Sequence, residues 1–196
     1  MLKVKIMETI KPLMNPASFK KIGLAIVATV SISIWTLLLW QHYHSGVPSH
    51  SFLARKDMPS ISNWWGAILL PLLTYFSLHR LQKRIDTVGE NSVIPAKHIQ
   101  SIGLLFLLGL IYTGTMSYCF ITDKSDLNGM LFQGLFLLAV LLPIFRAEFL
   151  LGFVIGMTYT FGAILPTFIG SVIVGISFVA HKFVYPFVLK MYRKVK

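Results

Sequence analysis

The chain has 196 residues, of which 55% are hydrophobic and only 13% charged, about half the charged share usual in soluble domains. With a mean hydropathy of +0.71, a water-soluble fold of this size could not cover its apolar surface, so lipid must be part of its solvent. The formal net charge of +11 would suit a polyanion such as nucleic acid, but the cations stand in short groups beside apolar runs, with no polar domain to form a groove. They read as topology-setting charge beside anionic lipid.

Residues 1–21 mix lysines with Ile6, Met7, Ile10 and Leu13 and are predicted to lie along the inner membrane surface. No cleavable signal peptide is expected, because no Ala-x-Ala-like site follows the first apolar run. Asn15 and Pro16 suit the N-cap and first position of the first membrane helix.

A bilayer core takes about twenty apolar residues per helix, and hydrocarbon leaves no unpaired backbone group tolerable, so such runs are helices. They cover 22–41, 63–78, 99–121 and 128–145, the second interrupted by Pro71, which is expected to kink it. From 147 to 189 the apolar pattern is continuous. As one straight helix it would run about 65 Å, twice what a bilayer accommodates. The chain is therefore expected to turn at Leu165-Pro166-Thr167, giving spans 147–165 and 167–189.

The predicted class is all-α: a polytopic transmembrane bundle over 22–189 with about six spans. Its last two form a tight glycine-rich hairpin, and a basic tail, 190–196, follows. With both termini in the cytoplasm, only Arg55, Lys56 and Lys124 of the 18 Lys and Arg residues fall outside. The excess of cations on cytoplasmic segments thus predicts a multi-pass inner or plasma membrane protein with both ends inside.

Gly152-x-x-x-Gly156 and Ser171-x-x-x-Gly175 each put two small residues on one helix face, which lets membrane helices approach closely. These faces close the last hairpin in one reading and make a homo-oligomer contact in another.

Intramembrane charge marks ion-coupled transport, and no Asp, Glu, Lys or Arg falls in the middle third of any predicted span. Glu148, two residues from Arg146 at an inner turn, is expected to be solvated. Uncharged polar residues cluster instead in the outer halves: Thr36; Thr113, Thr115, Ser117 and Tyr118; Gln133; Thr158, Tyr159, Thr160 and Thr167. Thr113 and Ser117 share a face. From this set Thr36, Thr113, Ser117, Gln133, Thr158 and Tyr159 are read as lining a cavity that opens outward. The alternative is that the hydroxyls bond back to their own helix carbonyls and the tyrosines anchor at the interface.

His42, His44, His50 and Asp57 lie within sixteen residues and carry the donor types of a Zn or Cu site. On a continuing helix His42 and His44 point about 200° apart, so together they chelate one ion only if the chain is extended there. A solvated or pH-sensitive loop is the competing reading. Apart from that divalent metal, no cofactor is predicted. His79, His98 and His181 fall at inner membrane borders, and Trp40, Trp64 and Trp65 fit an aromatic belt. Cys119 is the single cysteine, which rules out an internal disulfide.

No nucleophile elbow, Walker loop or Rossmann glycine pattern occurs. Three functions stay open. The first is a small transporter or channel subunit for a small or uncharged solute. The second is a non-catalytic accessory or scaffold subunit of a membrane complex, with a partner chain or a second copy. The third is a metal-dependent enzyme acting on a lipid or lipid-linked substrate.

Overall fold

The computed structural model describes residues 16–44, 46–51, 60–86 and 96–195. Residues 1–15 of the basic N-terminal segment, and Arg55, Lys56 and Asp57, lie outside the described residues. The architecture is helical: α1 (Pro16–His44), α2 (Gly66–Asp86), α3 (Ala96–Ile121), α4 (Ser125–Leu141), α5 (Ala147–Phe161), α6 (Ile164–Val179) and α7 (Tyr185–Val195). Between α1 and α2 a small antiparallel pair, β1 (Ser49–Ser51) and β2 (Ser60–Ser62), sets Ser49 opposite Ser62. A 3-10 turn, Asn63–Trp65, then leads into α2.

Three segments are long and apolar enough to cross a membrane: Ser18–His44, Ile99–Ile121 and Ile164–Arg193. The last runs from α6 into α7 through a π-helical turn, Ala180–Val184. The six predicted spans are not matched one for one. With 17 and 15 residues, α4 and α5 are about 26 and 23 Å long, short of a core of about 30 Å.

Local chemistry explains where those helices stop. Leu142 precedes Pro143 and is extended, φ −114° and ψ 143°, because the proline ring disfavours the helical region for the residue before it. The fourth helix therefore ends at 141, not at 145. The expected turn at Leu165-Pro166-Thr167 also moves. Gly162 takes φ 71°, a conformation open to glycine, and stops α5. Pro166 sits in the first turn of α6, where its missing N–H has no partner to lose.

Pro71 lies inside α2 and cannot donate to the carbonyl of Ala67, four residues back. That carbonyl accepts instead from Trp35 Nε1 of α1, at 3.2 Å. One proline thus ties α1 to α2, and buried Ile34, Leu38, Ala67 and Leu70 fill the contact.

The shortest of the packed bundle helices, α5, is also the most enclosed. Phe149, Phe153 and Val154 are fully buried, and α5 packs on α3, α6 and α2. An enclosed helix need not span the hydrocarbon.

Its broadest contact is with α3, and there the two backbones approach closely. A Cβ on Gly152 would strike the carbonyl oxygen of Phe106, and one on Gly109 would come within 2.5 Å of Phe149 O. Gly156 likewise faces Leu110 and Thr113. The Gly152–Gly156 face is thus spent on α3 rather than on the hairpin partner, and nothing lies within 4 Å of a Cβ on Gly175. Ser171 is exposed and bonds back to Thr167 O within its own helix.

Candidate functional site

The predicted cavity residues separate into two groups. Thr113 is fully buried and its hydroxyl donates to Gly109 O at 2.8 Å and Phe153 O at 3.0 Å. Ser117 donates to Gly156 O at 3.0 Å. Both act as polar clasps across the α3–α5 seam, and Thr158 bonds back to Val154 O. Thr36, Gln133 and Tyr159 are exposed on the outside of the bundle. None of the six lines the main cavity. Thr115 and Thr167 also bond to carbonyls of their own helices, the usual habit of hydroxyls within a helix.

Since α1 continues as a helix through His44, His42 and His44 diverge. His44 Nδ1 pairs with Trp40 O at 2.8 Å, and His42 lies edge-on to Trp64. His50 is on β1. Among the described residues, no three His, Cys, Asp or Glu side chains are grouped to hold a metal.

A half-open cavity of about 530 Å³ lies where α3, α4, α5 and α6 meet. Met116 and Cys119 of α3, Phe132 of α4, Met157 of α5 and Ile169 of α6 make its wall. Its polar groups are Asp123, Ser125 and Asn128, from the α3–α4 connection and the first turn of α4.

The backbone dictates that placement. The left-handed Asp123, φ 55°, ends α3, and Lys124 N–H closes back onto Cys119 O at 2.9 Å, a helix-terminating pattern. This turn carries the Asp123 side chain to the cavity. The side-chain carbonyl oxygen of Asn128 is buried and has no hydrogen-bond partner, a state that costs about 1–3 kcal/mol unless a ligand or water satisfies it. Lys124 is drawn aside over the Tyr118 ring, 5.7 Å from its centroid. An apolar pocket between bundle helices with a few polar groups is a common form of ligand site.

Sequence reasoning missed this pocket, since Met116, Cys119, Phe132 and Met157 look like ordinary apolar span residues. Glu148 is 5% exposed, not solvated, and its Oε1 accepts from Arg84 Nη1 at 3.0 Å. Arg146 nearby donates to Ser101 Oγ at 3.2 Å. The signal available was the recurrence of Arg84, Arg146 and Glu148 at predicted inner borders, a pattern too common to single out a pair.

His79 stacks on Tyr75, and His181 packs beside Phe145 and Tyr185. The side chain of His98 lies outside the described residues. Comparison with protein-family models, with curated proteins and with solved structures finds no match to this chain.

Proposed function

We propose that this protein is a polytopic membrane protein that binds a single-chain amphiphile in the pocket between α3, α4, α5 and α6. In this reading α2, α4 and α5 cross with α1, α3 and the stretch from α6 through the π-helical turn, the bilayer thinning locally at the shorter helices. The positive-inside rule puts the β1–β2 end and the pocket toward the outer leaflet. The observation that carries the proposal is an apolar wall joined to a polar corner made by Asp123, Ser125 and Asn128. An alkyl chain would fill the first, and a head group that donates hydrogen bonds would satisfy the second. Asp123 disfavours an anionic head, so the class is a long-chain alcohol, monoacylglycerol or amine. Handling such a lipid, as a carrier or as a binding subunit, fits this shape better than conduction of a small solute, because the buried hydroxyls of Thr113, Ser117 and Thr158 are committed to helix carbonyls.

Cys119 is buried and lines the pocket, and it is the chain's single cysteine. In lipid nanodiscs, its alkylation by N-ethylmaleimide should slow at least about tenfold with monooleoylglycerol or dodecylamine, a change of about 1.4 kcal/mol. Dodecanoate should protect less, and Met157→Trp, which fills the pocket, should remove the protection. Equal alkylation rates with and without every amphiphile would contradict the proposal.

A further inference from the structure

From Lys182 to Arg193 every residue is exposed, although the stretch is rich in aromatic and aliphatic side chains. Phe183, Phe187, Val188, Leu189, Met191 and Tyr192 are each more than half exposed. Along α7, helical spacing sets Phe187 with Met191 and Val188 with Tyr192 on one side, while Lys190 and Arg193 share the other. Lys194 follows next in sequence, and no Asp or Glu occurs after Glu148. This is a basic amphipathic helix whose apolar side has no partner among the described residues.

Its root is fixed in place. Tyr185 donates to Val140 O at the end of α4, 3.0 Å away, and His181 Nδ1 pairs with Ser177 O at 2.9 Å. The intervening π-helical turn, Ala180–Val184, breaks the regular ladder, and such turns and the proline beside it, Pro186, are where long helices bend.

We propose that α7 is an interfacial anchor that lies on the anionic leaflet of the membrane crossed by α6, with its apolar side in the headgroup–acyl boundary and its cations on lipid phosphates. Charge complementarity selects this occupant. Two copies of α7 would bring lysines and arginines together with no acidic residue to offset them, whereas an anionic surface attracts every one. The broad apolar side, which includes Tyr192 and Met191, also exceeds the narrow seam of a helix pair and suits a lipid interface. The inference rests on the apolar character of α6 and is independent of the pocket.

The test uses the full chain in proteoliposomes, in a Cys119→Ala background, with a fluorophore on Phe187→Cys or on Lys190→Cys. In vesicles containing phosphatidylglycerol, the label at 187 should shift to the blue and be shielded from acrylamide, while the label at 190 stays quenchable. In pure phosphatidylcholine the shielding at 187 should fall. Lys190→Gln with Arg193→Gln should lower the docked-to-free ratio about 25-fold, at about fivefold per cation. Equal quenching at 187 in both lipids would overturn the proposal. Shielding that disappears as the protein is diluted into more lipid would overturn it too, in favour of contact between copies. Both readouts are made with the charges of α7 other than the labelled position intact, so they decide the matter even if the double variant folds poorly.

Discussion

Gly152→Ala should loosen the α3–α5 seam and destabilise the whole bundle. The added methyl would meet the Phe106 carbonyl oxygen and carbon, the latter at 3.1 Å, and Leu110 N at 3.0 Å. All are backbone atoms, so no side chain can swing away and the helices must part. Overpacking of this kind costs about 1–3 kcal/mol. Separation also stretches the Thr113–Phe153 and Ser117–Gly156 hydrogen bonds, both 3.0 Å, each worth about 0.6 kcal/mol between membrane helices. Alanine returns up to about 1 kcal/mol of helix propensity. The net loss is about 1–3 kcal/mol, roughly 5- to 150-fold in the unfolding equilibrium. Gly175→Ala is the matched control, since its Cβ would meet open space, and it should be neutral or slightly stabilising. Reversible unfolding in mixed micelles, titrated with denaturing detergent, separates the two. If Gly152→Ala unfolds with the wild type while Gly175→Ala is damaged, the glycine face serves some contact other than α3.

Removing Arg84 from the Arg84–Glu148 pair leaves a buried charge. Because Glu148 is buried and Arg84 half-exposed, Arg84→Ala should cost about 1–3 kcal/mol in the same titration, and adding Glu148→Leu should recover most of it; no recovery would mean that Arg84 acts through other contacts. Thr113→Val should cost about 0.6 kcal/mol, and at most about 1.7, while Thr115→Val, whose hydroxyl is exposed and bonded to Ile111 O, should leave the midpoint unchanged. Gly162→Ala combines an unfavourable φ with the nearby Asn63 side chain and should lower the midpoint by about 1–3 kcal/mol; an unaltered midpoint would show that the α5–α6 turn relaxes freely.

Much of the helical pattern could be read from composition, because apolar runs in lipid have little alternative to helix. The boundaries could not be read as well. The apolar pattern carries the fourth span through Pro143 to 145 and puts the turn at Leu165-Pro166-Thr167, whereas the helices end at 141 and 161. Apolar composition alone does not say which of several Pro and Gly residues stops a helix. The small residues at 152 and 156 were visible as a packing face, but a one-dimensional spacing carries no partner, and α3 won over α6 through Gly109. The hydroxyls were visible too. Which group a threonine meets depends on helix rotation: Thr113 reaches the Phe153 carbonyl of α5, while Thr115, two residues on, faces outward and bonds back to Ile111 O. The pocket was the least legible part: its wall is made of Met, Phe and Cys residues that look like lipid-facing ones, and its polar corner, Asp123, Ser125 and Asn128, comes from a short connection between two apolar runs.

The most direct test is a density map of the protein in nanodiscs made from native lipid extract. An elongated density along Met116, Phe132 and Met157, with one end against Asn128 and Asp123, is the expected result. A pocket closed by its own side chains, or a continuous water column running past Thr113 and Ser117, would contradict the account.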